Sequence, residues 1–270
     1  MAPGRRVVVD LMDLLVQAEL KQALGASGCP ICRVGEEAAS RYLRFVLHES
    51  VNDPATRRRL ASSWGFCRRH GWYFLRLECV TMRDGLGTAI LAEGLLKMAE
   101  QVLDGHLAGP PGGVRKQRAA RARLEKLVRS LTPRGQCPPC VVQAEHEAYA
   151  LAVLGTVLQV EAWRERFALS DGFCLRHLRD ALATEKIPDR LRWIVEDHHR
   201  RLRRLLADLE EYIRKHDYRF SQEPYGRERD AVDRATAALV GNWFDLPRRP
   251  PGNHGSEAER VQAEEGKHGG

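Results

Sequence analysis

The chain has 270 residues, of which 43% are hydrophobic and 29% are charged, and its formal net charge at pH 7 is +7. This length suits two ordinary domains or one larger double unit, and the positive charge leans mildly toward anionic partners. The longest apolar stretch, 148–160, is shorter than the roughly 20 residues that a membrane-spanning helix needs. Residues 1–20 are too interrupted by charge for a signal peptide. We therefore expect a cytoplasmic protein that does not enter the membrane.

Helical periodicity predicts the elements of the first half. An apolar face with i, i+3, i+4, i+7 spacing predicts a first amphipathic helix. Its members are Leu11, Leu14, Leu15 and Ala18. Asp53 and Pro54 suit the cap and the first turn of a later helix. The glycine- and proline-rich segment 109–114 predicts a linker, so we expect a first helical unit over 9–108.

The same order of elements returns after the linker and predicts a second helical unit over 115–216. Its first helix, the expected counterpart of the first helix of the chain, carries Leu124, Leu127, Val128 and Leu131. The apolar stretch 148–160 predicts a buried helix near the centre. The other long helices expected are 66–80, 86–107 and 188–215. We expect residues 217–246 to form a docking segment with a short helix over 231–240. We expect a disordered tail over 247–270, because this segment is rich in Pro, Gly and charge.

A repeated cysteine–histidine motif is the most specific signal in the chain. Cys-Pro-x-Cys followed by Gly-Phe-Cys-x-x-His occurs twice, with Cys29 and Cys137 108 positions apart and Cys67 and Cys174 107 apart. Two thiolates in C-x2-C converge on one tetrahedral ion, and a Cys3His set fills its coordination sphere. We therefore predict an all-α protein of two pseudo-symmetric units, each with its own metal site. The expected ligands are Cys29, Cys32, Cys67 and His70 in the first unit, and Cys137, Cys140, Cys174 and His177 in the second.

The ligand count bears on the kind of site. Four protein ligands leave no open position for water or substrate, which favours structural sites over catalytic ones, and we predict no catalytic residue. Zinc, two per chain, suits the mixed thiolate and imidazole donors, with iron or an iron–sulfur cluster as the alternative. The alternative, buried cysteines that bind no metal, would explain one copy of the motif but not its repetition. Disulfide exchange is disfavoured because redox C-x-x-C motifs need a strand–turn–helix context.

Charged residues that recur in both halves suggest support around the metal sites. Glu37 and Glu145 each lie eight residues past the first cysteine of their half, and Arg69 and Arg176 stand between the Cys and His of the second motif. A carboxylate there could orient the histidine ring or pair with the arginine. The alternative is that these are solvated helix residues. Cys79 has no counterpart and is expected to be a small core residue.

A basic stripe over 115–129 offers an alternative surface. Its members are Arg115, Lys116, Arg118, Arg121, Arg123, Lys126 and Arg129. Such clusters can follow phosphates, although no aromatic platform or recognition-helix signature accompanies this one. The leading hypothesis is a zinc-stabilised helical scaffold that binds another protein. The sequence is also compatible with a homo-oligomer. The alternatives are a nucleic-acid-binding regulator and a thiol or iron–sulfur redox sensor.

The chain also resembles a known family. The repeated motifs, followed by His-Asp-Tyr-Arg-Phe at 216–220 and Glu-Pro-Tyr-Gly at 223–226, are similar to those of uncharacterised bacterial proteins grouped as a domain of unknown function. The resemblance covers about residues 10–245, and both copies of the ligand motif match it. It implies a bacterial, mostly helical, cytosolic protein and supplies no activity or substrate.

Overall fold

The structure, a computed structural model, describes residues 11–107, 117–220 and 222–242. These ranges hold eleven α-helices and no strand, so the all-helical prediction is confirmed. The helices are α1 Leu11–Leu24, α2 Pro30–Phe45, α3 Pro54–Ser62, α4 Arg68–Thr81, α5 Leu86–Leu107, α6 Gln117–Leu131, α7 Pro138–Val157, α8 Glu161–Leu169, α9 Leu175–Thr184, α10 Pro188–Lys215 and α11 Ala231–Val240. A π-helical turn, Val46–Ser50, extends α2, and a 3₁₀ turn, Arg227–Asp230, precedes α11.

Some sequence predictions lie outside the described residues. These are the linker 109–114, the tail 247–270 and the first two members of the basic stripe, Arg115 and Lys116. Among the described helices, no candidate for a membrane-spanning segment is found.

Local chemistry fixes where the helices begin. Oδ2 of Asp53 accepts a hydrogen bond from the backbone N–H of Thr56 at 2.6 Å, which caps α3, and Pro54 occupies its first turn. The helices of the repeated motifs begin differently, without a side-chain hydrogen bond from the N-cap residue. The first cysteine of each motif is the N-cap of its helix: Cys29 of α2, Cys67 of α4, Cys137 of α7 and Cys174 of α9.

The core is centred on the packing of α2 against α7. Gly35 permits this approach, because a Cβ atom there would lie 2.5 Å from Cγ of Glu147. Gln143 donates a hydrogen bond to Glu36 at 3.1 Å, and Tyr42 lies near Cys137. Later residues of α2 therefore meet earlier residues of α7, and the helices run antiparallel. The main hydrophobic core joins α1 and α2 to helices α7 to α10. The apolar stretch of α7 is buried there, as its sequence predicted.

A smaller core lies at the other end of α2. It joins the end of α2 to α3, α4 and the start of α5, and its buried members are Leu43, Val46, Leu47, Leu60, Phe74 and Leu91. The main core therefore crosses between the two halves of the chain, while the smaller one stays within the first half. The predicted unit boundaries and the pseudo-symmetry stay predictions.

Three packing predictions are wrong. The buried face of α1 consists of Val16, Leu20, Ala23 and Leu24, whereas Leu11, Leu14, Leu15 and Ala18 are exposed. Both sets of residues have helical spacing, and the buried set is the one that packs against α2 and α7. The helix α6 is not the packing counterpart of α1, because it packs against α5 and none of its residues from 121 to 131 is buried. Cys79 is exposed and not a core residue.

Candidate metal centres

The first cluster, here the inner cluster, lies within the main core. Its members are Cys29, Cys32, Cys174 and His177, and all four are buried. Nδ1 of His177 lies 3.3 Å from the sulfur of Cys29 and 3.4 Å from those of Cys32 and Cys174. The sulfurs of Cys32 and Cys174 are 3.8 Å apart. Three sulfur atoms and one ring nitrogen therefore face a common centre.

The second cluster, here the outer cluster, is built alike but lies nearer the surface. Its members are Cys67, His70, Cys137 and Cys140, of which only His70 is buried. Nδ1 of His70 lies 3.3 Å from the sulfurs of Cys67 and Cys140 and 3.6 Å from that of Cys137. The sulfurs of Cys67 and Cys140 are 3.6 Å apart.

These spacings fit a single tetrahedral ion. With metal–sulfur bonds of about 2.3 Å and metal–nitrogen bonds of about 2.0–2.1 Å, tetrahedral ligands lie about 3.8 Å (S to S) and about 3.5 Å (S to N) apart. The ligand atoms of each cluster all lie within 4.8 Å of one another. A disulfide would need sulfurs about 2.05 Å apart, and all seven cysteines are free. Each cluster could therefore hold a metal ion.

The pairing of the motifs corrects the sequence prediction. The eight expected ligands are the eight that meet, but the Cys-Pro-x-Cys of each half joins the Cys-x-x-His of the other half. The prediction that each unit holds its own site is therefore wrong. The physical reason is the central contact of α2 with α7, which brings the start of α2 to the start of α9, and the start of α7 to the start of α4. Each cluster ties the two halves together.

Most of the chain matches one known family. A family model described as a family of unknown function, DUF6062, matches residues 15–245. The chain belongs to this family. The match spans both clusters and agrees with the resemblance drawn from the motifs. No curated protein and no solved structure matches the chain.

The outer cluster of this DUF6062 chain holds a histidine prepared to bind a metal. Burial, with a smaller contribution from the nearby charge of Arg69, lowers the pKa of His70 to about 4. Its imidazole is therefore neutral at pH 7, the form in which histidine binds metals. Burial, assisted by the neighbouring Cys137, raises the pKa of Cys140 to about 12. A metal ion must displace that thiol proton when it binds.

The inner cluster differs in its protonation. Hydrogen bonds from the thiols of Cys29 and Cys32 and a contact with His177 lower the pKa of Cys174. Burial alone would lower the pKa of His177, but the sulfurs of Cys174 and Cys32 and the carboxylate of Glu147 outweigh it and raise this pKa. The sulfur of Cys174 is therefore prepared to bind a metal as a thiolate. A metal ion that binds there would displace the proton from the ring of His177.

A buried carboxylate lies behind His177. Glu147 on α7 accepts hydrogen bonds from both terminal nitrogens of Arg176, at 2.9 and 3.0 Å. Its Oε2 lies 3.4 Å from Nε2 of His177, a contact of ion-pair length rather than a hydrogen bond. Burial alone would raise the pKa of Glu147, but the contacts with His177, Arg176 and Gln143 lower it to about 2. Glu147 therefore stays ionised and holds the ring with Nδ1 toward the sulfurs.

The outer cluster has a related arginine–carboxylate pair but no such support for its histidine. Arg69 forms an ion pair with Glu36 of α2, and Gln143 connects Glu36 to Glu147 through two further hydrogen bonds. Nε2 of His70 is buried and finds no hydrogen-bond partner among the described residues. The two clusters are therefore alike in ligands and different in surroundings.

Two of the four predicted supporting residues are corrected. Arg69 and Arg176 do pair with carboxylates beside the clusters, but Glu37 and Glu145 do not supply them. Glu37 is exposed and pairs with Arg44 at 2.6 Å, and Glu145 is exposed. Eight residues turn a helix about 80° away from the starting direction, so Glu37 and Glu145 do not share the direction of the first cysteine. No common spacing marks the carboxylates that form these pairs, since Glu36 lies seven residues past Cys29 and Glu147 lies ten past Cys137.

The C-terminal segment covers the inner cluster. Oδ1 of Asn242 accepts a hydrogen bond from the backbone N–H of Cys29 at 2.7 Å. Gly241, with φ of 86°, lies so close that a Cβ atom would be 3.0 Å from the sulfur of Cys32. Asp171 accepts a hydrogen bond from the N–H of Gly28 at 2.5 Å, which ties the loop before α2 to the loop before α9. These contacts keep water from the buried sulfurs.

Proposed function

We propose that this protein is a zinc-stabilised helical scaffold, without catalytic activity, that presents a helical surface to another protein. The observation that carries the proposal is the crossed pairing of the motifs at tetrahedral spacing. Metal bound in both clusters would fasten the two halves at two points. Because the metal binds the folded chain and not the unfolded one, its binding free energy adds to the stability of the fold.

Two features favour zinc over an iron–sulfur cluster. The sulfurs of Cys32 and Cys174 are 3.8 Å apart and those of Cys67 and Cys140 are 3.6 Å apart, which suits ligands that share one ion. An iron–sulfur cluster places several metal and sulfide ions between its cysteines and spreads them further apart. Mixed Cys3His donors are also typical of structural zinc.

The closed ligand sets support a structural role. Each cluster supplies four protein ligands, so a tetrahedral ion would keep no position for water or substrate. Seven free cysteines also suit a reducing compartment, and we propose that the protein acts in the cytoplasm.

The direct test is metal analysis of the purified full-length chain. We expect about two zinc ions per chain, no visible absorbance, and a marked fall in melting temperature after treatment with a strong chelator. Readdition of zinc should restore the melting temperature. Iron with acid-labile sulfide, or a melting temperature that is indifferent to the chelator, would contradict the proposal.

A thiol redox sensor is the second candidate, and the exposure of the outer cluster favours it. Cys67, Cys137 and Cys140 are partly exposed, whereas the inner cysteines are buried. A hydroperoxide ROOH could take two electrons from two of these thiolates, which join as a disulfide, while its O–O bond breaks and two protons from solvent complete ROH and water; the zinc ion is then released. Peroxide should then release one zinc per chain, reversibly with dithiothreitol. Release of both ions together would favour general unfolding instead.

A further inference from the structure

Helices α5 and α6 form a hairpin, here the arm, that meets the rest of the fold at Leu95, where a Cβ atom at Gly65 would lie 2.9 Å from Cδ1 of this leucine. They contact each other and are joined by a connection of nine residues, so they run antiparallel. In α5 only Gly87 and Leu91 are buried, and α6 has no buried residue between 121 and 131. A Cβ atom at Gly94 or Gly105 would meet nothing within 4 Å. We define the arm as residues 92–107 and 117–131.

Each helix of the arm exposes one narrow apolar stripe. On α5 the stripe consists of Leu96, Leu103 and Leu107, and on α6 it consists of Leu124, Val128 and Leu131. Spacings of four, seven and eleven residues return to within about 40° of one direction around a helix, so each stripe is a single seam. The six side chains are between 39% and 76% exposed. Exposed apolar residues repeated along one direction of each helix are typical of a surface that packs against other helices.

The two helices carry opposite charge. Between 92 and 107, α5 has three acidic residues and one basic residue, namely Glu93, Glu100, Asp104 and Lys97. Between 121 and 131, α6 has four basic residues and one acidic residue, namely Arg121, Arg123, Lys126, Arg129 and Glu125. A twofold rotation places the acidic helix of one arm against the basic helix of another, twice over. The surface is therefore complementary to itself.

We propose that the arms of two copies of this chain pack together, with α5 of each against α6 of the other, in an antiparallel four-helix bundle. The inference deepens the proposed scaffold function and rests on it, because it names the protein partner as a second copy. Nucleic acid fits this surface less well, since the acidic α5 would repel phosphates and the apolar seams would gain nothing from them.

The test begins with the oligomeric state of the zinc-loaded full-length protein. Light scattering coupled to size exclusion should give twice the 30.5 kDa of one chain. Leu96→Glu and Val128→Glu should each give the mass of a monomer, because a charge would replace an apolar member of a seam. Leu169→Glu is the matched control, since this leucine of α8 is 89% exposed and lies outside the arm. The control should remain a dimer.

Charge exchange tests the pairing itself. One variant carries Glu93→Lys, Glu100→Lys and Asp104→Lys, and another carries Arg121→Glu, Lys126→Glu and Arg129→Glu. Each alone should be monomeric, because both helices of its arm then have the same sign. An equimolar mixture should form a heterodimer, because each helix again meets its opposite. Circular dichroism of each variant checks that the arm stays helical.

The outcomes separate this inference from the proposed function. A monomeric wild-type protein, or a dimer that survives both seam substitutions, overturns the inference. So does a monomer whose co-purifying nucleic acid is lost with the three glutamate substitutions in α6. Zinc content is measured on the same samples. Two zinc ions per chain with a monomeric protein would leave the scaffold standing without this partner, and a dimer without zinc would overturn the scaffold.

Discussion

At the scale of single residues, Glu147 distinguishes the inner cluster from the outer one. Its carboxylate is buried, bound twice by Arg176 and placed 3.4 Å from His177. Glu147→Ala should weaken zinc binding at one of the two sites by about 10–100-fold, the usual effect of removing a residue that orients a metal ligand. Competition with a chromophoric chelator measures this affinity.

The matched control is Glu145→Ala, two residues away on the same helix. Glu145 is exposed, so its removal should leave both zinc affinities and the melting temperature unchanged. Equal weakening by the two substitutions would show that α7 responds to any loss of a carboxylate, and the role given to Glu147 would be wrong.

Gly241 is the second residue that affects the inner cluster, because the absence of a side chain lets it approach the sulfur of Cys32. Its φ of 86° and ψ of 173° lie in a region that only glycine adopts easily. Gly241→Ala should cost about 1–3 kcal/mol and push the C-terminal segment away from the sulfur of Cys32. We expect faster zinc transfer from one site to a chelator. Gly94→Ala, in the open part of α5, should leave the transfer rate unchanged and raise helix stability by up to about 1 kcal/mol.

At the scale of elements, a buried ion pair holds the C-terminal segment onto α10. Nζ of Lys215 donates to Oε1 of Glu228 at 2.6 Å and to the carbonyl oxygen of Pro224 at 2.7 Å. The N–H of Gly226 also donates to Glu228 at 2.8 Å. This pair fixes the start of α11, and α11 leads to the residues that cover the inner cluster. The pair thus acts on the cluster through the helix.

The ion pair predicts a dependence of stability on pH. Lys215 and the backbone N–H of Gly226 lower the pKa of Glu228 from 4.5 to about 2. A carboxyl whose pKa is lower in the folded state stabilises the fold fully above its ordinary pKa and loses this contribution as pH falls toward the folded value. Glu228→Gln should therefore lower the melting temperature at pH 7. The gap to wild type should shrink between about pH 4.5 and pH 2.

The difference in melting temperature between wild type and Glu228→Gln separates the effect of Glu228 from that of the clusters, because both proteins lose metal in acid to the same extent. Asp233→Asn, also on the C-terminal segment, offers a control substitution that removes a carboxylate without touching the pair. A gap for Glu228→Gln that stays constant down to pH 2 would mean that the pair contributes nothing through its charge.

Local signals explain which elements could be predicted. The ends of α5, α10 and α11 follow from helix periodicity and from prolines and glycines close in sequence, and the structure places them at the predicted residues. The buried face of α1 does not follow from such signals. Both its stripes are apolar, and only the later packing of α2 and α7 determines which one is covered. The arm shows the same limit, because nothing in α6 alone indicates that α5 is its neighbour.

At the scale of the whole molecule, the identity of the ligands could be predicted but their pairing could not. Either Cys-Pro-x-Cys can complete a tetrahedron with either Cys-x-x-His, because donors and spacing are the same in both halves. Sequence proximity favours pairing within a half. The structure instead pairs across the halves because the antiparallel contact at Gly35 and Glu147 sets the distances. The packing of the helices, which the motifs do not encode, therefore determines which motifs pair.

The crossed pairing gives an experiment in which two pairings predict opposite results. Cys29→Ala with Cys174→Ala removes two ligands from the inner cluster, so this double variant should keep the zinc of the outer cluster, about one per chain. Cys29→Ala with Cys67→Ala removes one ligand from each cluster and should leave little tightly bound zinc. Both variants lose two cysteines, so each controls for the other. If each half bound its own metal, the first variant would lose both ions and the second would keep one. Elemental analysis after dialysis against a weak chelator decides between them, and the crossed result would mean that neither half can complete a site without the other.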